Sequence, residues 1–310
     1  MSNLFSSNQT QLFGLDKYIS ELISLYKEKS LPNKILLSGQ KGLGKATFSY
    51  HLINYVLSSN EEFKYDNKNF VIHPENHSFK TVVNKSNPNF ILIDVEKDKK
   101  SIDIDQIRKL ILNLNKSSFN NKPKFVLIDN IDLLNIFTVN ALLKVMEEPL
   151  PNVYFILINN EKKKFSTLFS RCINFRIYLT NKEIFQITKR LFKKDPYDII
   201  NRDLINYYFS PGSLYNFFSF GLENGYNLKD LTLKELLSIL INKKYYKDNH
   251  EIKILILELI EFYFVKNLSS LKNHGFDKYN YFIKRLFNIN KYNLDEESYF
   301  IEFNNKVLNG

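Results

Sequence analysis

Lys34-Ile-Leu-Leu-Ser-Gly39-Gln-Lys-Gly-Leu-Gly44-Lys45-Ala46 joins a short apolar run to the pattern G-x-x-x-x-G-K. The run has strand character, and after Gly44 the sequence turns helical to about Leu57. A strand before and a helix after are the context in which this pattern is a phosphate loop. Gly39, Gly42 and Gly44 would let backbone N–H groups wrap phosphate oxygens at a helix N-terminus, with Lys45 reaching the terminal phosphates. The Ser or Thr that should follow the lysine, and whose hydroxyl would hold Mg²⁺, is Ala46. Thr47 does not obviously replace it, because one residue along a helix rotates the side chain by about 100°. A glycine-rich turn that binds nothing is the bland alternative, and the strand-loop-helix context speaks against it. Retention of nucleotide stays open.

Outward from the loop the same grammar repeats. Phe90–Val95 (FILIDV), Phe125–Asp129 (FVLID) and Val153–Ile158 (VYFILI) are near-continuous apolar runs, as expected of strands covered on both faces. Between them Val139, Leu142, Leu143 and Met146 recur at helical spacing. Strand and helix in alternation predict an α/β layer with a parallel sheet. Asp129 ends a buried strand, where a carboxylate beside the phosphate loop would hold Mg²⁺ through water.

From Thr180 onward the strand pattern disappears. Thr180-Asn-Lys-Glu183 is a capping box, Asp195-Pro196 closes its helix, a second helix is expected over Tyr197–Phe209, and a third near Ser213. These breaks suggest boundaries near residues 179 and 225, and no internal repeat indicates a solenoid. At 310 residues two or three domains are expected. The net charge of +10 invites a nucleic-acid reading, yet only six of the 43 basic residues are Arg, and most lysines are read as solvated faces. Cys172 is the only cysteine, so no intrachain disulfide forms. The first residues lack a signal-peptide pattern. The most apolar stretch, Ile252–Leu268, is interrupted by charges and reads as a deeply buried helix rather than a membrane span, so a cytoplasmic location is expected.

Three further stretches carry a resemblance. Ile104-Asp-Gln-Ile-Arg108 is similar to a "V-D-Q-I-R" helix start, Asn140-Ala-Leu-Leu-Lys144 with Glu147-Glu148-Pro149 to "N-A-L-L-K-x-L-E-E-P", and Ser170-Arg171-Cys172 to "S-R-C". In that order, after a phosphate loop and an aspartate-tipped strand, they resemble the clamp-loader branch of AAA+ proteins of bacterial DNA polymerase III. The resemblance covers roughly residues 11–225. It implies an α/β AAA+ nucleotide-binding domain over 1–179, an all-α lid over 180–225, and an all-α C-terminal collar over 226–310. Against the plain alternative of a surface ion pair, it also implies that Arg171 acts catalytically in trans, on ATP held by a neighbouring subunit. A guanidinium suits that role through its planar donor fork. Asn159 or Asn160 would stand at the family's sensor-one position.

The departures from the family pattern fall on its motor chemistry. Besides Ala46, the glutamate that activates water in hydrolysing members is Asn130, and an amide cannot take up a proton. The lid arginine of "G-S-x-R" is Tyr215. The resemblance therefore implies a stationary, non-motor loader subunit with no ATPase activity of its own. Its partners would be the gamma/tau and delta subunits, the sliding clamp and, through the complex, primed DNA. Some family members carry a four-cysteine zinc site after the phosphate-loop helix. None of those cysteines is present, and Pro74 disfavours one helix through His73 and His77, so no zinc is expected. Two other readings remain: an ATP-hydrolysing AAA+ enzyme of replication or repair, and a free-standing DNA-binding protein using the +10 charge.

Overall fold

The apolar runs become the centre of a parallel sheet. In the computed structural model, residues 5–96, 99, 101–114, 120–148, 150–160, 165–205, 209–248, 250–267, 275–292 and 294–309 are described. Strands β1 (Lys34–Ser38), β2 (Phe90–Ile93), β3 (Lys124–Ile128), β4 (Val153–Asn159) and β5 (Ile173–Arg176) pair in the order β2-β3-β4-β1-β5. Every pairing is parallel. Residues 35–37 of β1 and 125–128 of β3 are fully buried, which is why these runs carry no polar residue. Edge strand β5 was not expected. Its four residues are polar at alternate positions and three of them are exposed, so it offers no apolar run to read.

Among the described residues, the helices α1 (Asp16–Lys27), α2 (Lys45–Leu57), α3 (His77–Val83), α4 (Ile104–Leu114), α5 (Ile136–Glu147), α6 (Ser166–Phe169) and α7 (Asn181–Phe192) accompany these strands. The sheet residues Leu36, Val126, Ile128 and Leu157 pack with Ile107 and Leu110 of α4 and with Val139, Leu142 and Met146 of α5. Each such fully buried aliphatic side chain contributes about 1.5–3 kcal/mol relative to exposure. The Asn135 side chain accepts from the Thr138 N–H and so starts α5. Thr180 and Glu183 form the expected reciprocal cap of α7, with Thr180 N–H donating to Glu183 at 2.7 Å.

The chain divides into two compact units, one of residues up to Thr188 plus Ser210–Ser213, the other of Lys189–Phe209 plus everything from Leu214 on. The second is helical: α8 (Pro196–Ile199), most of α9 (Pro211–Glu223), α10 (Leu233–Asn242), α11 (Tyr245–Asp248), α12 (His250–Asn267), α13 (Gly275–Tyr292) and α14 (Glu297–Phe303). The single helix expected over 197–209 is not formed. α8 stops at an extended Ile200, and the Asn201 side chain caps a new 3-10 turn by accepting from Asp203 N–H. Helix α12 matches the expected apolar segment but buries one face, through Ile252, Leu255, Ile256, Leu259, Ile260 and Phe264, while Val265 is half exposed. Around it Phe264, Phe282 and Phe303 meet at ring separations of 5.5–5.8 Å. Among the described residues no helix is long and apolar enough to cross a membrane.

Helix α2 is buried on nearly every side, and His51 within it ties down two outlying segments. Its Nε2 lies 3.1 Å from the Gln9 carbonyl and must therefore carry the hydrogen. Nδ1 then accepts from the Tyr65 hydroxyl at 3.0 Å. Burial pushes the imidazole down to about 4, because the cation would lose its water. A histidine held neutral in the fold stabilises it fully above the ordinary value of about 6.5, and that contribution is lost as pH falls from there towards 4. The size of the effect is about 3 kcal/mol. Urea unfolding at a series of pH values should show stability falling over that window. His51→Gln should be less stable at pH 7.5 but show a flatter slope below pH 6.5, and an unchanged slope would contradict this role.

Candidate functional site

The phosphate loop lies where β1 ends. Gly39 (φ 146°), Gly42 (φ 85°) and Gly44 (φ 88°) all adopt backbone conformations that side chains resist. A Cβ on Gly39 would sit 2.4 Å from the Ile177 carbonyl oxygen, and one on Gly42 would sit 2.2 Å from Ser210 Oγ. Lys45, at the first turn of α2, is 3% exposed. Its Nζ donates to the carbonyls of Gly39 at 2.6 Å and Gln40 at 2.7 Å. Thr47 is half-buried two residues on. The turn Ser210–Ser213 rests against the loop, with Gly212 N–H donating to the Gly42 carbonyl at 3.0 Å. The Ser210 N–H donates to Ser213 Oγ and the Ser213 N–H to Ser210 Oγ, which fixes that turn.

Beside the loop, Asp129 follows β3 and is half-buried. Its neighbour Asn130 has a left-handed backbone (φ 56°), and the Asn130 N–H donates to Asp129 Oδ1 at 2.8 Å. The Asn130 side chain uses both ends of its amide. Nδ2 donates to Asp94 at 2.9 Å, and Oδ1 accepts from Asn160 Nδ2 at 2.9 Å. A carboxylate at this position would be repelled by Asp94, whereas an amide binds it. Asn159 ends β4 opposite Ser38 and is fully buried, and the next residue, Asn160, is the one seen to bond Asn130. The Asp132 carboxylate accepts from the Asn160 N–H at 2.7 Å. Burial first and Asp94 second raise the Asp129 carboxyl to about 6, against the pull of the Asn130 N–H, Lys45 and Lys41. Asp94 and the Ser210 turn are parts of this site that sequence reading did not single out. Asp94 had a signal, since it closes its strand as Asp129 does.

Arg171 is elsewhere. Register pairs Ile173 with Ile35 and Arg176 with Ser38, so β5 enters the sheet beside the start of β1. Arg171 precedes that entry, and Gly39 follows the opposite end of β1, four residues of strand or ~13 Å away. Arg171 is bonded instead to the end of α5. Its Nε and one terminal nitrogen donate to Glu147 Oε1 at 2.9 and 2.5 Å, and the other donates to the Thr167 carbonyl at 3.0 Å. Two stretches singled out separately in the sequence thus meet, although Pro149 of the first lies outside the described residues. Cys172 is half-buried, and burial pushes its thiol up to about 11, which suits packing rather than reactivity. In the helical unit, Tyr215 stacks on Phe192 at 6.0 Å. His73 stacks on Phe63 at 4.5 Å and its Nδ1 accepts from the Glu75 N–H.

A family model described as DNA polymerase III, delta subunit matches residues 14–180. The delta prime subunit of DNA polymerase III from Buchnera aphidicola subsp. Schizaphis graminum is 30% identical over 240 residues, 74% of this chain and 71% of that one. The gamma subunit from the same bacterium is 34% identical over 107 residues, 34% of this chain and 29% of its own length. A solved DNA polymerase III gamma subunit-related protein from Thermotoga maritima is 20% identical, with a TM-score of 0.42 over 83% of this chain and 76% of that one. The chain belongs to the DNA polymerase III delta prime family.

The Asp129 carboxyl gives the site a measurable electrostatic signature. A folded-state value of about 6 against 3.8 means that the fold prefers the neutral acid, so stability falls as pH rises between these values and stays lower above them. Asp129→Asn removes that penalty. Denaturant unfolding should show the variant more stable by up to about 3 kcal/mol at pH 8 and little changed near pH 4. Equal stability at pH 8 would contradict the placement of a strained charge here.

Proposed function

We propose that this member of the DNA polymerase III delta prime family is a non-motor clamp-loader subunit, which supplies Arg171 to ATP held by a neighbouring subunit. The observation that carries the reading is the position of Arg171. It stands at the edge of the sheet opposite its own phosphate loop, part-exposed, so a phosphate it serves belongs to another chain. A positioned guanidinium stabilises the charge that builds on phosphoryl oxygens in the transition state.

Three substitutions support the absence of a motor in this chain. Ala46 offers no hydroxyl to Mg²⁺, Asn130 spends its amide on Asp94 and Asn160, and Tyr215 packs on Phe192 where the family's motors have a cation. Lys45 turned onto the carbonyls of Gly39 and Gln40 agrees with a loop that is structurally retained. Gly39, Gly42, Gly44, Lys45, Thr47 and Asp129 are in this reading a nucleotide site in ancestry, and Asn160 is the better of the two candidates for the sensor-one position. The lid over 180–225 and the collar over 226–310 belong to the same proposal. So do cytoplasmic action and contact with gamma/tau and delta subunits, the sliding clamp and primed DNA. The motor reading would need a base at position 130 that an amide does not provide.

Arg171 tests the proposal. In a loader reconstituted with clamp and primed DNA, Arg171→Ala should leave assembly intact and lower the stimulated ATPase and clamp loading. Arginine fingers contribute about 10³–10⁵ in rate at a single site, so one affected site among several should show as a several-fold loss in the whole complex. Arg171→Lys should recover little, because an ammonium lacks the planar fork. Unchanged ATPase and loading in a verified Arg171→Ala complex would overturn the trans role.

A further inference from the structure

We propose that Glu147 is the positioning residue of Arg171: it holds the guanidinium side-on and leaves a donor on each terminal nitrogen for an incoming phosphate. The inference rests on the trans role of Arg171 and adds to it the group in this chain that sets the finger's geometry.

A guanidinium carries five N–H donors in a rigid plane. Three are used within the chain: Nε–H and one hydrogen of a terminal nitrogen on Glu147 Oε1, and one hydrogen of the other terminal nitrogen on the Thr167 carbonyl. Two remain, one on each terminal nitrogen, and these are donors that a phosphate can use. The cradle therefore fixes the plane and still leaves each terminal nitrogen a donor. Its two acceptors come from separate elements, the last residue of α5 and the second residue of α6. An arginine on a solvated surface otherwise samples many rotamers, and ordering it only when ATP arrives would cost entropy at the moment of reaction. Glu147 arranges it beforehand.

The arrangement also accounts for the acidic end of α5. An acidic side chain in the last turn of α5 opposes the helix dipole, which favours cations there. Glu147 is placed unfavourably for its own helix, and Arg171 is the cation that compensates it. Glu147 remains 54% and Arg171 37% exposed, so the pair adds little to folding. Its removal should leave the chain folded, which makes it open to test.

The experiment uses the full chain and the reconstituted loader with clamp and primed DNA. In the isolated full chain, the Nε–H resonance of ¹⁵N-labelled Arg171 should be protected from solvent exchange, and Glu147→Ala should abolish that protection without changing the melting temperature. In the loader, Glu147→Ala should lower the stimulated kcat several-fold, less than Arg171→Ala does, with KM for ATP unchanged. Glu147→Gln should recover much of the loss, because its amide oxygen accepts the same two N–H groups. Glu147→Ala added to Arg171→Ala should cost nothing more. An unprotected Nε–H in the wild type, or a kcat unaffected by Glu147→Ala, would overturn the proposal. So would an equal loss from Glu147→Ala with and without Arg171, since Glu147 would then act by another route. If Arg171→Ala itself has no effect, the trans role fails and this inference with it. That outcome differs from a failure of Glu147 alone, in which Arg171→Ala still lowers the rate.

Discussion

Strand β1 lies between β4 and β5 in parallel register, and that pairing decides what each end of the sheet can do. Ser38 is level with Asn159 on one side and Arg176 on the other, so the phosphate loop after β1 opens next to Asn159 and Asn160 at the end of β4. β3 ends on the far side of β4 and brings Asp129 and Asn130 to the same edge. The reverse edge receives the end of α5 and the entry to β5, and there Glu147 and Arg171 meet. Strands β1 and β3 are buried on both faces, so a one-residue slip would mismatch their packing against the layers on either side. The two edges are thereby kept apart by the length of a strand.

The edge that bears the phosphate loop is internally satisfied. Lys45 is bonded by two carbonyls of its own loop, Gly42 is bonded by Gly212, and Asn130 bridges Asp94 and Asn160. The exception is Asp129, whose charge is disfavoured by burial and by Asp94. Buried charge without full compensation lowers stability, and proteins keep it where an ancestral or present site required it. On the opposite edge the cationic fork of Arg171 is ordered yet has N–H groups left over. One edge is bonded within itself, while on the other Arg171 has more N–H groups than its own chain uses.

The sheet was legible because buried parallel strands leave unbroken apolar runs, and four of the five strands were found from them. β5 escaped, since Ile173-Asn-Phe-Arg176 is polar at alternate positions and mostly exposed. The helix expected over 197–209 failed for a local reason, because Asn201 caps a fresh turn in preference to continuing one. Phosphate-loop glycines announced themselves, since positive φ excludes other residues. What sequence could not supply was which asparagine after β4 faces Asn130, or that Glu147 and Arg171, 24 positions apart, are partners. Such contacts depend on where elements meet in space, and residue type alone carries no record of it.

The central claim is that this chain lends chemistry to a neighbour and performs none itself. The most direct measurement is ATP turnover by the purified full chain, alone and with clamp and primed DNA, at saturating Mg²⁺-ATP. The account predicts a rate at background, because position 46 lacks the metal-binding hydroxyl and position 130 lacks a base. Turnover on the order of 1 s⁻¹ or more, removed by Lys45→Ala, would contradict it.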